Sequence, residues 1–202
     1  VPAPDQAAAE NERAWRECLA ALENSQRLLD ARPRVTMRFR KQERVGGELG
    51  PVTLMETKQR LSPLSVYMRW VKPFEGREVI YHEGQRGGKM IAHEGGLVGR
   101  ISPTALMKPD GDLALQFSRH PLPELTVWRL NRTALEHVRK ARADPDLTAR
   151  RVEALVRGQS VTLYELVHAT PSAELAHRRL VVYVAREAAL PVRWALHLFG
   201  PP

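Results

Sequence analysis

Hydrophobic and polar positions along the chain fall into three textures. Between Asp5 and about Leu29, the residues Trp15, Cys18, Leu19, Leu22 and Leu29 recur at helical spacing, uninterrupted by Gly or Pro. Pro33 closes the run, which predicts one long amphipathic helix. The period then changes to two. From Arg34 to Val45 the even positions Arg34, Thr36, Arg38, Arg40, Gln42 and Arg44 are polar, and the odd series begins with Val35, Met37 and Phe39. This predicts a strand with one basic, wet face and one face that begins apolar. Short strands follow at about 52–61, 64–72, 77–82, 89–93 and 97–101. Tight turns rich in Gly and Pro join them, the signature of an antiparallel meander rather than of βαβ units.

The third texture starts at Pro103. Four prolines and the Asp110-Gly111-Asp112 turn fill the stretch to Leu125. A helix is predicted from about Thr126, with Val127, Leu130, Ala134, Val138 and Ala141 inward and Arg129, Arg132, Arg139 and Lys140 outward, ending before Pro145. Residues 150–157 fit a short helix or an alternating strand. The strand is preferred because Arg157–Ser160 then turns into a strand at 161–168, with two more at 179–185 and 192–199. The predicted fold class is α+β: a large curved antiparallel sheet whose concave face is covered by the N-terminal helix and a helical insert. One domain spans 1–202, with a lid helix at 1–32, a meander at 34–101, a loop and helical insert at 102–146, and C-terminal strands at 150–199.

Composition narrows the function classes. The chain has 202 residues, 43% hydrophobic and 27% charged, an ordinary globular balance. No apolar run reaches the roughly 18 residues of a membrane-spanning helix. The single cysteine, Cys18, has no intrachain disulfide partner, and its place on the apolar stripe predicts a small buried hydrophobe. The net charge is +8, so an anionic partner is to be considered. Residues 1–30 carry −3 and the remainder +11. An acidic N-terminal helix lying against a basic body follows from that asymmetry.

Motifs with catalytic meaning are few. Gly84-Gln85-Arg86-Gly87-Gly88-Lys89-Met90 approximates a phosphate loop, but its spacing is one residue short and Met90 stands where Ser or Thr would hold a metal. It reads as a hairpin turn. None of the seven histidines forms an HxH or HxxxH pair; His82 and His93 flank one hairpin and could approach each other, without a third ligand. Asn131-Arg132-Thr133 matches a glycosylation sequon but falls within the predicted helix. No cofactor and no metal is expected, and no nucleophile signature supports an enzyme.

What remains is the sheet face. Alternation assigns Val35, Met37, Phe39, Leu54, Val66, Met68, Trp70, Ile80, Leu163, Val182, Trp194, Leu196 and Leu198 to one side. These residues form either an ordinary core or a lipophilic cavity beneath lid-like helices, and the Trp and Met content suits a cavity. Trp15, Leu19 and Leu22 would be the lid, closing over Phe39, Met68 and Trp70. On that reading Leu22→Asp makes the helix swing away while the rest stays folded. The basic outer face Arg34, Arg38, Arg40 and Arg44 would meet anionic headgroups or an acidic partner. Nucleic-acid binding through those arginines is disfavoured, because no aromatic residues interleave with them for base stacking.

The stretch Leu64 to Tyr81, preceded by Met37–Arg44, resembles a family of uncharacterised exported bacterial proteins, itself similar to periplasmic lipoprotein carriers of the LolA and LolB type. Leu163-Tyr164-Glu165-Leu166, Thr170-Pro171, Leu180–Val184 and Leu190-Pro191-Val192-Arg193-Trp194 follow the carriers' order of strand, proline turn, strand and leucine-proline strand. The resemblance covers most of 35–199. It implies a half-barrel with helices plugging its mouth, a secretory signal removed, a periplasmic location, and a monomer that binds the acyl chains of a lipid or lipoprotein. The alternative is a basic envelope scaffold whose sheet face is filled by its own side chains.

Overall fold

In the computed structural model, which describes residues 4–101, 104–116, 118–171, 175 and 177–199, the elements run as follows. Helix α1 (Pro4–Asp30) precedes strands β1 (Arg34–Lys41), β2 (Arg44–Val45), β3 (Glu48–Leu49), β4 (Thr53–Arg60), β5 (Ser65–Lys72), β6 (Glu78–His82) and β7 (Met90–His93). A short helix α2 (Gly96–Ile101), strand β8 (Ala105–Met107) and helix α3 (Asp112–Leu115) lead through a 3-10 turn (Leu122–Leu125) to helix α4 (Val127–Ala141). Strands β9 (Thr148–Val156), β10 (Gln159–Val167), β11 (His177–Ala185) and β12 (Pro191–Leu198) close the chain. The class is α+β with antiparallel strands. The larger strands form a six-stranded sheet of order β1-β4-β5-β6-β7-β8 and a four-stranded sheet of order β12-β11-β10-β9; neither closes on itself. Packing groups the chain into two compact units, Val1–Ala31 with Leu130–Pro202, and Arg32–Arg129.

The first unit is built around α1. Its stripe Ala14, Trp15, Cys18 and Leu22 packs with Ala134, Leu135 and Val138 of α4 and with Tyr164, Leu166, Leu180 and Val182 of the sheet. Polar groups lock the helix in place. The Trp15 indole donates to the Val138 carbonyl (2.8 Å), and Asn131, fully buried on α4, donates to the Leu22 carbonyl (3.1 Å). The charge asymmetry of the sequence appears as ion pairs from Glu12 to Arg142 (2.8 Å), Glu23 to Arg139 (2.9 Å) and Glu17 to Arg151 (3.0 Å). Each lies at the surface, where water and salt screen the attraction, so they orient the helix more than they stabilise it. Burial pushes the Cys18 thiol up to about 12, the state of an inert core residue.

The second unit holds the six-stranded sheet. Its core is Met55, Val66, Met68, Val79, Met90 and Leu122, with Phe39, Trp70, Tyr81, Ala92, Met107 and Ala114 partly covered against it. Strand β4 places Thr53, Thr57 and Gln59 on the same face, all buried. Gln59 is satisfied there, accepting from the Val127 amide at 3.0 Å.

Two local expectations are corrected. The strand predicted at 97–101 is α2: over five residues, apolar positions at Leu97 and Ile101 fit both periods. The Gly99 amide donates to the Gly95 carbonyl (3.0 Å), and a Cβ on Gly99 would lie only 1.9 Å from the Glu94 carbonyl oxygen, so the turn closes because Gly99 has none. The first strand ends at Lys41 rather than Val45. Arg44 therefore belongs to the small β2–β3 hairpin, where it donates to the Gly47 carbonyl (2.6 Å), and does not continue the row Arg34, Arg38, Arg40.

Candidate functional site

Register decides which side chains share a face. Phe39 pairs with Met55, and Met55 with Trp70; Met37 pairs with Thr57, and Thr57 with Met68; Met68 pairs with Val79. On the far strands, Met90 pairs with Met107. The chain has five methionines, Met37, Met55, Met68, Met90 and Met107, one on each of β1, β4, β5, β7 and β8. The pairings put all five on one face of the six-stranded sheet. Burial along it is graded. Met55, Val66 and Met68 are shielded under Leu122, while Met37, Phe39, Trp70, Tyr81 and Met107 are only partly buried. Unbranched thioether side chains adapt to irregular shapes better than branched ones, so the face is deformable as well as apolar.

The predicted cavity set divides against this frame. Val35, Met37, Phe39, Val66, Met68 and Trp70 lie together on the methionine face. Leu54 pairs with Arg40 and Ile80 with Tyr67, which turns both to the opposite, outer face; Ile80 is 45% exposed. In the four-stranded sheet Val182 pairs with Trp194 and Leu180 with Leu196, so Val182, Trp194 and Leu196 belong to the α1–α4 core. Leu163 pairs with Tyr183 on the other face, and Leu198 is an exposed residue at the end of β12. Of the predicted lid residues, Trp15 and Leu22 sit in the core of their own unit with α4, and Leu19 packs partly buried against it. Arg34, Arg38, Arg40 and Arg44 are all exposed, with Arg38 3.7 Å from Glu56. A cavity of about 220 Å³ in the first unit, lined by Asn24, Thr162, Tyr164, Val184 and Arg186 among others, is smaller than the roughly 300 Å³ of a typical small-molecule pocket.

Sequence reasoning missed a histidine cluster. His168 at the end of β10 is fully buried; its Nδ1 donates to Asp144 (2.5 Å) and its Nε2 meets His137 Nε2 of α4 at 3.1 Å. One of the two Nε2 atoms carries the proton of this contact and the other accepts it. The ring of His177 lies 6.0 Å from that of His137. Burial, then the charges of His168, His177 and Lys140, push His137 down to about 4. Asp144 is held below the usual carboxylate range: burial acts upward, but the hydrogen bond from His168 and the Asp146 amide outweigh it. The cluster ties β10 to α4 and the loop after it. Among the described residues no group of three or more His, Cys, Asp or Glu side chains could hold a metal ion. His82 and His93, which could have met across their hairpin, are held apart, since His93 pairs with Glu78, four residues before His82 on β6. Thirty-one residues separate His137 from His168, so no spacing rule could have joined them.

Open antiparallel sheets, an apolar face on one of them and covering helices define an α+β protein of the kind the sequence resembles. The chain belongs to the family described as Protein of unknown function (DUF1571), which matches residues 33–201. In fold it is similar to the Mycobacterium tuberculosis lipoprotein LppX, at 14% identity over 91% of this chain and 88% of that one, with a TM-score of 0.52. A LolA-superfamily protein from Nitrosomonas europaea matches at 8% identity over 88% of this chain and 70% of that one, with a TM-score of 0.29. No curated protein sequence matches. No helix among the described residues is long and apolar enough to cross a membrane.

Proposed function

We propose that this protein is a non-enzymatic, periplasmic carrier that shields the acyl chains of a lipid or lipoprotein against the methionine face of its six-stranded sheet. The observation that carries the reading is the placement of all five methionines on that face, with the partly buried Phe39, Trp70 and Tyr81 beside them. Covering eight methylenes is worth about 6 kcal/mol, enough for useful affinity without any polar contact. The likeness in fold to the lipoprotein LppX, and the export implied by the family resemblance, support the same reading.

Methionine methyl groups labelled with carbon-13 give five separate reporters. Titration with palmitate or a lysophospholipid should shift all five, those of Met37 and Met107 first, and native mass spectrometry of the purified protein should show a co-purified acyl compound. If the five methyls stay unmoved at saturating lipid, the carrier reading fails. That outcome favours the second reading, a basic envelope scaffold with a filled core, to which the full burial of Met55, Val66 and Met68 lends support.

A further inference from the structure

One end of the six-stranded sheet carries large apolar side chains that face solvent. Leu97 and Ile101, one turn apart on the same side of α2, are 78% and 87% exposed. Phe74, in the turn between β5 and β6, is exposed as well, with the Arg77 guanidinium 4.4 Å from its ring. The two turns are fixed to each other. A Cβ on Gly95 would lie 2.0 Å from the Glu75 carbonyl oxygen, and Arg77 donates to Glu94 across the gap at 2.9 Å. Phe74, Leu97 and Ile101 therefore project from one built tip. Lys72 and Arg100 flank it, both exposed.

Charge selects the partner. Residues 32–129 contain 17 Lys and Arg against 10 Asp and Glu, so this unit carries +7 of the chain's +8. An apolar protein groove would satisfy the tip but leave that field unused. An anionic bilayer satisfies both: apolar side chains enter the interfacial layer while cations lie over the headgroups, and neither signal alone gives more than marginal, reversible attachment.

We propose that the tip formed by Phe74, Leu97 and Ile101, with Lys72 and Arg100 around it, is a docking element for an anionic membrane surface. The tip uses none of the methionine-face residues but adjoins that face, since the Arg77 guanidinium over Phe74 also lies 6.0 Å from the Trp70 ring. Docking is reversible by design: the contact is three side chains deep and salt-sensitive.

The test is co-sedimentation of the full chain with vesicles of equal parts phosphatidylglycerol and phosphatidylcholine, against phosphatidylcholine alone. Binding is expected to the anionic vesicles and to weaken with salt. The double variant Leu97→Ser, Ile101→Ser should lose about tenfold or more in affinity, and Lys72→Gln with Arg100→Gln several-fold. Because the substituted side chains are exposed, both variants should melt as the parent does and bind acyl probes unchanged. A fluorophore on Leu97→Cys should shift to the blue only when anionic vesicles are added. Absence of vesicle binding, or undiminished binding by the serine variant, overturns the proposal. So does a parent that dimerises in sedimentation through these residues and ignores vesicles, which would make the tip a contact between copies. Vesicle binding that persists while acyl probes fail overturns the carrier reading alone.

Discussion

Leu22 separates a structural helix from a mobile one. Its side chain is fully buried among Trp15, Val138, Leu180 and Val182, and its carbonyl accepts a hydrogen bond from Asn131. Removing the methine and two methyl carbons beyond Cβ from such a site costs about 2–5 kcal/mol for Leu→Ala, with the upper half expected where surrounding helices and strands cannot collapse. At roughly 2–4 °C per kcal/mol for a chain of this length, Leu22→Ala should lower Tm by about 10 °C. Leu22→Asp adds an unpaired carboxylate in an apolar site, several kcal/mol more, and should leave little folded protein. The assay is thermal melting by circular dichroism with urea unfolding beside it, where Leu22→Ala should move the midpoint and leave the slope unchanged. Ala20→Asp, on the exposed side of α1, is the control and should cost about 0.5 kcal/mol or less. If Leu22→Asp melts within a few degrees of the parent and only lipid-probe binding changes, α1 swings as the lid that its sequence suggested, and its assignment to the core is wrong.

Three further outcomes follow from the geometry. His137 binds its proton at about pH 4 when folded and near 6.5 when unfolded, so between those values the unfolded chain takes up the proton and the folded one refuses it. Stability therefore falls as pH drops through that window, by on the order of 3 kcal/mol at its lower end, and His137→Asn should flatten the fall; identical pH slopes in parent and variant would refute it. Glu165, buried on β10, is held by Arg150 and Arg179, whose side chains are 63% and 42% exposed. Glu165→Gln should cost about 1–2 kcal/mol in urea unfolding, less than a fully buried pair because both arginines can turn to water. Gly95→Ala should disrupt the contact between the β5–β6 turn and α2, seen as faster amide exchange at residues 95–101 with a small change in global stability; unchanged exchange there would show that the turns are not locked.

Much of the fold was legible because helix and strand periods differ and because turns in this chain are marked by Gly and Pro. Helix α1 and most strands fall where periodicity placed them. Which face a strand buries was harder. In β4 the buried positions are Thr53, Met55, Thr57 and Gln59, three of the four polar, so the apolar Leu54 drew the prediction to the wrong side. In β6, Val79 and Tyr81 compete with Ile80, and only the pairing of Met68 with Val79 decides. Central strand β10 is apolar on both faces, which made Leu163 ambiguous. Alternation gives each strand two faces but not their phase relative to neighbours, and that phase is set by register. The methionine face was hidden for the same reason: Met37 and Met68 stood out, while Met55, Met90 and Met107 joined them only once the strands were paired.

The first unit is discontinuous in sequence, and this sets an order on its formation. Helix α1 is made before its partners: α4 and β10–β12, which cover Trp15 and Leu22, begin only about a hundred residues later. Until then its apolar stripe has nothing native to cover it. Residues 32–129, by contrast, are contiguous, and their strands pair mostly with the next in line, the local wiring that closes at low entropic cost. The methionine face can thus assemble while the N-terminal helix still waits. A helix made early is thus among the last elements to find its place, and the unfinished polypeptide is a natural client for a holding chaperone throughout that delay.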